Sequence, residues 1–165
     1  MTFAIRPAEP RDLAALPDIE RVCDGVFHEV GIVFPDGPPV IEEVIAHGDP
    51  IWVAGDPPVG FAGVIELDGR VHLEQLAVLP QHGRQGIGAA LVSAVLTAAA
   101  ERGSPGVTLL TFRDVPWNAP FYARHGFTEF PPALWGPALQ AHWQAELTAD
   151  LHTLGPRLAM HHPLA

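Results

Sequence analysis

The stretch LEQLAVLPQHGRQGIGAALV, residues 73–92, decides how the chain folds. It closes an apolar β-type run, Val71 to Leu79, which Pro80 halts. A polar turn follows, Gln81-His82-Gly83-Arg84-Gln85-Gly86-Ile87-Gly88. From Ala89 to Arg102 the Ala-rich spacing predicts a helix, stopped by Gly103. Strand, glycine turn and helix together offer unpaired backbone N–H groups and the positive end of a helix dipole to an anion. Gly86 and Gly88 remove the Cβ atoms that would keep a bulky anion away, and Arg84 adds a full positive charge inside the turn.

Two nucleotide motifs are excluded. The Walker pattern needs a Lys after the loop, and this chain contains none. The dinucleotide fingerprint is G-x-G-x-x-G, whereas the order here is Gly83-x-x-Gly86-x-Gly88. Downstream lies a second segment, Trp117-Asn118-Ala119-Pro120-Phe121-Tyr122-Ala123-Arg124-His125-Gly126-Phe127. The first motif resembles the acetyl-CoA pyrophosphate loop of the GNAT superfamily of N-acetyltransferases. It departs at one place, where Gly83 stands for the usual Gln or Arg. The second resembles another hallmark of that family through Asn118, Tyr122, Gly126 and Phe127. The resemblance runs over about residues 3–130.

The resemblance implies a single α/β domain over residues 1–165, with a mixed, mostly antiparallel central sheet flanked by helices. It implies acetyl-CoA as acyl donor. The cofactor would be held by Leu76, Ala77, Val78, Gly83, Arg84, Gln85, Gly86, Ile87, Gly88, Ala89, Asn118 and Phe121. In that family the backbone of the strand before the loop pairs with pantetheine as an added β-strand.

Composition sets bounds. At 165 residues and 48% hydrophobic, the chain can bury a real core. No apolar run is long enough to cross a membrane, and the charged N-terminus does not read as a signal peptide. The single Cys23 cannot form an internal disulfide, which fits a reducing cytoplasm, and reads as a small buried residue of a helix. A formal net charge of −10 argues against nucleic-acid binding and favours a cationic substrate such as a protonated amine. Nothing here fixes the oligomeric state, which leaves room for a homodimer.

The remaining chain reads as mixed α/β. Phe3 to Arg6 is a strand, and a helical run from Pro10 to Val26 contains Pro17, which should kink or divide it. Gly31 to Pro39 is a loop with Ile32, Val33 and Phe34 expected on its surface. A helix is expected over Val40–His47, strands over Pro50–Ala54 and Val59–Leu67, and a hairpin turn at Asp68-Gly69. Strands over Val107–Phe112, Phe127–Phe130 and Arg157–His162 and helices over Asn118–Arg124 and Leu139–Leu151 complete it.

Acyl transfer to an amine asks for a base, an acid and an oxyanion donor. Tyr122, the only Tyr, would by resemblance protonate the departing thiolate. Asn118 would bind the pantetheine arm or cap its own helix. Glu74, on the strand before the loop, is the candidate base, with His72 on its face; a salt-bridged strand residue is the alternative. A backbone N–H of Leu76-Ala77-Val78 would polarise the thioester. The other histidines lack metal-ligand spacing, so no metal is expected. The acceptor wall would come from Glu20, Asp24, Phe27, Glu29, Phe34 and Trp135, with Trp117 also near, which suits a small primary amine. A peptide or protein acceptor, or a non-catalytic acyl-CoA-binding module, are the competing readings.

Overall fold

The computed structural model describes residues 3–164. Seven strands appear: β1 Ile5–Pro7, β2 Ile51–Ala54, β3 Gly60–Leu67, β4 Arg70–Val78, β5 Gly106–Phe112, β6 Thr128–Glu129 and β7 Arg157–Pro163. Five α-helices accompany them: α1 Leu16–Val26, α2 Val40–His47, α3 Ile87–Glu101, α4 Ala119–Ala123 and α5 Pro137–Thr148. The strands form one mixed sheet in the order β1-β2-β3-β4-β5-β7-β6. The β1–β2, β2–β3, β5–β7 and β6–β7 pairs are antiparallel, and β4 and β5 run parallel, with Val71 joined to Val107 and His72 to Thr108. This is the mixed, mostly antiparallel α/β sheet that the sequence implies. The chain packs as two compact units, one of residues up to Ile65 with Leu73–Ala98, the other of Glu66–His72 with Ala99 onward.

In the first unit, Pro17 divides the helical run. A 3-10 turn over Pro10–Ala15 precedes α1, and Pro17 sits in the first turn of α1, where a missing N–H costs nothing. Asp12 anchors that entry. Its buried carboxylate takes both guanidinium nitrogens of Arg6 at 2.7 and 2.9 Å and the Glu9 N–H at 2.7 Å. The Arg6 hydrogen bonds foremost hold the Asp12 carboxyl down at about 2. Glu20 of α1, only 2% exposed, accepts the Val40 and Ile41 N–H groups at 2.6 and 2.8 Å and so caps the N-terminus of α2. Leu16, Ile19, Ile41, Val44, Ile51, Val53, Phe61 and Ala77 form the core under these helices. The loop after α1 differs from expectation at Ile32, which is buried at 5% exposure, while Val33 stays outside. An apolar residue in a loop buries wherever a groove is within reach, and spacing does not reveal the groove.

In the second unit, β5 is the hub. Its whole length pairs with β7, from Gly106↔Pro163 to Phe112↔Arg157. The other edge of β7 takes β6 at Thr128↔His161 and Glu129↔Met160. The last strand of the chain therefore lies between two earlier ones. Asp68, at φ 56 in the β3–β4 turn, accepts the Ala138 and Leu139 N–H groups, both at 2.9 Å, and caps α5. A Cβ on Gly136 would collide with that carboxylate. Phe130, Leu139 and Ala159 pack at the centre, with Leu67, Leu110 and Trp135 around them. The α5 helix stops at Thr148, short of the expected Leu151, because Asp150 turns left-handed at φ 60.

Candidate active site

The glycine turn has a defined backbone. Pro80–His82 form a 3-10 turn, Gly83 is extended, Arg84 is left-handed at φ 62 and Gly86 left-handed at φ 79. Helix α3 begins at Ile87, earlier than the spacing predicted, and its first internal bond runs from Ala90 N–H to Gly86 O at 3.0 Å. The N–H groups of Ile87, Gly88 and Ala89 precede that bond and have no intrahelical carbonyl to reach. The buried Ile87 side chain pins this turn to the core. One expectation changes its reason. A Cβ on Gly86 would meet open space, so this position requires glycine for its positive φ rather than for room. At Gly83, where φ is −64°, a Cβ would lie 3.1 Å from Pro80 O, a close contact that a shift of a few tenths of an ångström relieves, so neither φ nor space demands glycine there.

Strand β4 delivers backbone groups beside the turn. The Leu79 N–H donates to Val59 O at 2.9 Å, and Ala77 O faces Gly60 of β3. Successive N–H groups alternate between the two edges of a strand, so the Leu76 N–H faces away from β3. There Gln75 Oε1 accepts it at 3.1 Å. Farther along, the Cys23 thiol of α1 donates to Val78 O at 3.2 Å. Side chains thus hold an N–H and a C=O that a neighbouring strand would otherwise take. Burial pushes the Cys23 thiol up to about 11, so it is no nucleophile at neutral pH.

The expected acceptor wall separates into parts. Glu20 is committed to the α2 cap, and burial raises its pKa. Asp24, one helical turn on, is partly buried, and burial followed by the Glu20 charge raises its carboxyl to about 6. Phe27 and Phe34 meet edge to face at 5.0 Å, whereas Glu29 is exposed. Arg21 turns outward to Asp18 at 3.2 Å.

The second unit carries the other motif. Asn118 precedes α4 without a side-chain cap bond, so the capping alternative for it falls. Tyr122 is 8% exposed, wedged edge to face between Phe121 at 5.2 Å and Phe127 at 5.7 Å. Burial raises its phenol well above the ordinary range, against a smaller opposing pull from Arg157. It therefore stays protonated at neutral pH. Gly126 is left-handed at φ 90, and a Cβ there would sit 2.8 Å from the His162 ring, so the Gly-Phe pair is fixed twice over. Trp135 donates to Phe130 O at 2.7 Å and packs on Trp143 at 5.1 Å; Trp117 is only partly buried. His72 is buried, 2.8 Å from Thr108 Oγ1 through Nδ1 and with the His142 ring 5.2 Å away. Histidine spacing gave no hint of that neighbour, which comes from α5. Glu74, two residues along β4, is partly buried.

Known proteins share this fold. Over 103 residues the chain is 40% identical to a mycothiol acetyltransferase of Clavibacter sepedonicus, a match covering 60% of this chain and 31% of that protein. The chain thus spans about a third of the length of that curated relative. Among solved structures it resembles the ribosomal-protein-S18-alanine N-acetyltransferase of Escherichia coli, with TM-score 0.71 and 19% identity over 99% of this chain and 94% of that one. It also resembles the N-acetylglutamate synthase of Neisseria gonorrhoeae complexed with coenzyme A and N-acetyl-glutamate. There the TM-score is 0.72 at 17% identity, over 100% of this chain and 36% of that one. The model of the acetyltransferase (GNAT) domain matches residues 47–129, a span that takes in β4, the glycine turn and the Asn118–Phe127 segment. With those elements folded as described, the chain belongs to the GNAT acetyltransferase family.

Proposed function

We propose that this chain transfers the acetyl group of acetyl-CoA to a primary amine of a small molecule. The observation that carries the reading is the pairing, within one unit, of the α3 N-terminus behind Gly86 with an outward-facing Leu76 N–H on β4. The Ile87, Gly88 and Ala89 amides, with Arg84, Gln85 and Gly83 around them, receive the pyrophosphate. The Leu76-Ala77-Val78 backbone receives pantetheine, with Asn118 and Phe121 contributing contacts to the same arm.

The chemistry follows from what each group can do. The amine gives up a proton, to Glu74 directly or through water, and its lone pair attacks the thioester carbonyl carbon. The C–N bond forms and negative charge grows on the carbonyl oxygen, which the Leu76 N–H stabilises. The carbonyl then re-forms as the C–S bond breaks, the sulfur leaves with its electron pair and takes the Tyr122 proton, and the nitrogen, cationic since the attack, gives its extra proton to the Tyr122 phenolate, directly or through water. Asp24, ionised at neutral pH, adds negative charge for a cationic acceptor. The relative named for mycothiol rather than for a protein supports the small-molecule reading.

Calorimetric titration with acetyl-CoA, followed by free-thiol release over a panel of small amines, aminoglycosides and peptides, tests this. Millimolar or tighter binding is expected, about 4 kcal/mol or more. Thiol release should come from small amines and rise with pH through the neutral range, as more of the amine is neutral. Release confined to peptides would move the acceptor class. Tight binding without release from any acceptor would favour a non-catalytic acyl-CoA-binding module.

A further inference from the structure

The Leu76 N–H is held by the residue before it. Gln75 Oε1 accepts that N–H at 3.1 Å, on the edge of β4 turned away from β3. The Gln75 side chain also neighbours the Glu20 carboxylate. Glu20 is itself fixed, with Val40 N–H on one oxygen and Ile41 N–H on the other. Gln75 Oε1 thus stops a backbone donor on an edge of β4 that, among the described residues, no strand pairs in this unit.

We propose that Gln75 is a placeholder for the acyl group: its Oε1 occupies the position on the Leu76 N–H that the thioester carbonyl oxygen takes when acetyl-CoA binds. This rests on the acetyltransferase reading above. A single N–H makes one strong, linear hydrogen bond, so the two oxygens compete for it. Both are neutral carbonyl-type acceptors, so the exchange in the ground state is nearly level. In the transition state the competing oxygen carries negative charge, and a charge-assisted bond is about twice as strong as a neutral one. Gln75 therefore cancels the ground-state worth of the Leu76 N–H and leaves its transition-state worth, which is the difference that speeds a reaction. After the C–S bond breaks and the acetyl group departs on nitrogen, Gln75 swings back. The donor is then satisfied again while CoA leaves. Gln75 acts here as a positioning residue, through the Leu76 amide.

Gln75→Met and Gln75→Ala test this by titration with acetyl-CoA and with CoA, which lacks the carbonyl. Each variant should bind acetyl-CoA about tenfold more tightly than wild type does, the worth of one hydrogen bond without its competitor. CoA affinity should stay within about twofold. In turnover, the KM for acetyl-CoA should fall while kcat holds, the signature of binding gained equally in ground and transition states. A merely structural glutamine would move both ligands together. An unchanged ratio of acetyl-CoA to CoA affinity in both variants overturns the placeholder role and leaves the acetyltransferase reading standing. Wild-type protein that binds neither ligand overturns both.

Discussion

Asp24 and Tyr122 show how burial sets protonation at single residues. The Asp24 carboxyl, raised to about 6 by burial and then by Glu20, sits above its unfolded value. Such a group stabilises the fold below about pH 4, where both states are protonated, and that contribution is lost as pH rises through 6. Asp24→Asn should therefore raise the melting temperature at pH 8 by about 2–4 °C while leaving it nearly unchanged at pH 4. Paired thermal melts at the two pH values check the sign; an Asn variant less stable at pH 8 would refute the direction. Tyr122 is the converse case, with burial fixing its proton in place. Tyr122→Phe should lower kcat by about 10- to 100-fold and change acetyl-CoA affinity little, because the proton is needed only as sulfur leaves. Equal turnover would remove Tyr122 from the reaction.

Helix caps show what is legible at the scale of the element. The strand, glycine turn and helix around residues 73–92 could be read directly, because Pro80, Gly86 and the alanine spacing act on near neighbours. The division of the first helix at Pro17 was legible for the same reason. The caps of α2 and α5 were not. Glu20 reaches Val40 and Ile41 across a loop, and Asp68 reaches Ala138 and Leu139 from a turn some seventy residues earlier. Local sequence at Val40 and Pro137 contains no capping side chain to announce them. The Gln75 contact was hidden similarly, since a glutamine on a strand reads only as a polar position. Asp68→Ala should cost about 1–2 kcal/mol by orphaning two helix N–H groups, measured by urea unfolding. An unchanged midpoint would show that water replaces the carboxylate without loss. Gly86→Val should weaken acetyl-CoA binding at least tenfold, because a β-branched residue resists φ 79.

For the molecule as a whole, a formal net charge of −10 sets the long-range field against an anionic donor, with Arg84 as a local exception. Acetyl-CoA association should speed up as salt is raised from about 20 to about 300 mM, as the Debye length shrinks to well under 10 Å. Stopped-flow traces that slow with salt would mean that Arg84 and the α3 terminus dominate the encounter. The overall sheet was expected from the order of strands and helices, yet the place of the last strand was not, because spacing along a chain does not encode which edge a distant segment joins. That place has a consequence for biosynthesis. A ribosome emits about 5–20 residues each second, so β5 and β6 emerge seconds before the strand that must lie between them. During that wait both expose backbone edges of the kind that recruit other chains. The second unit therefore completes only once β7 has emerged, and until then it is the part of a nascent chain that a chaperone would have most reason to hold.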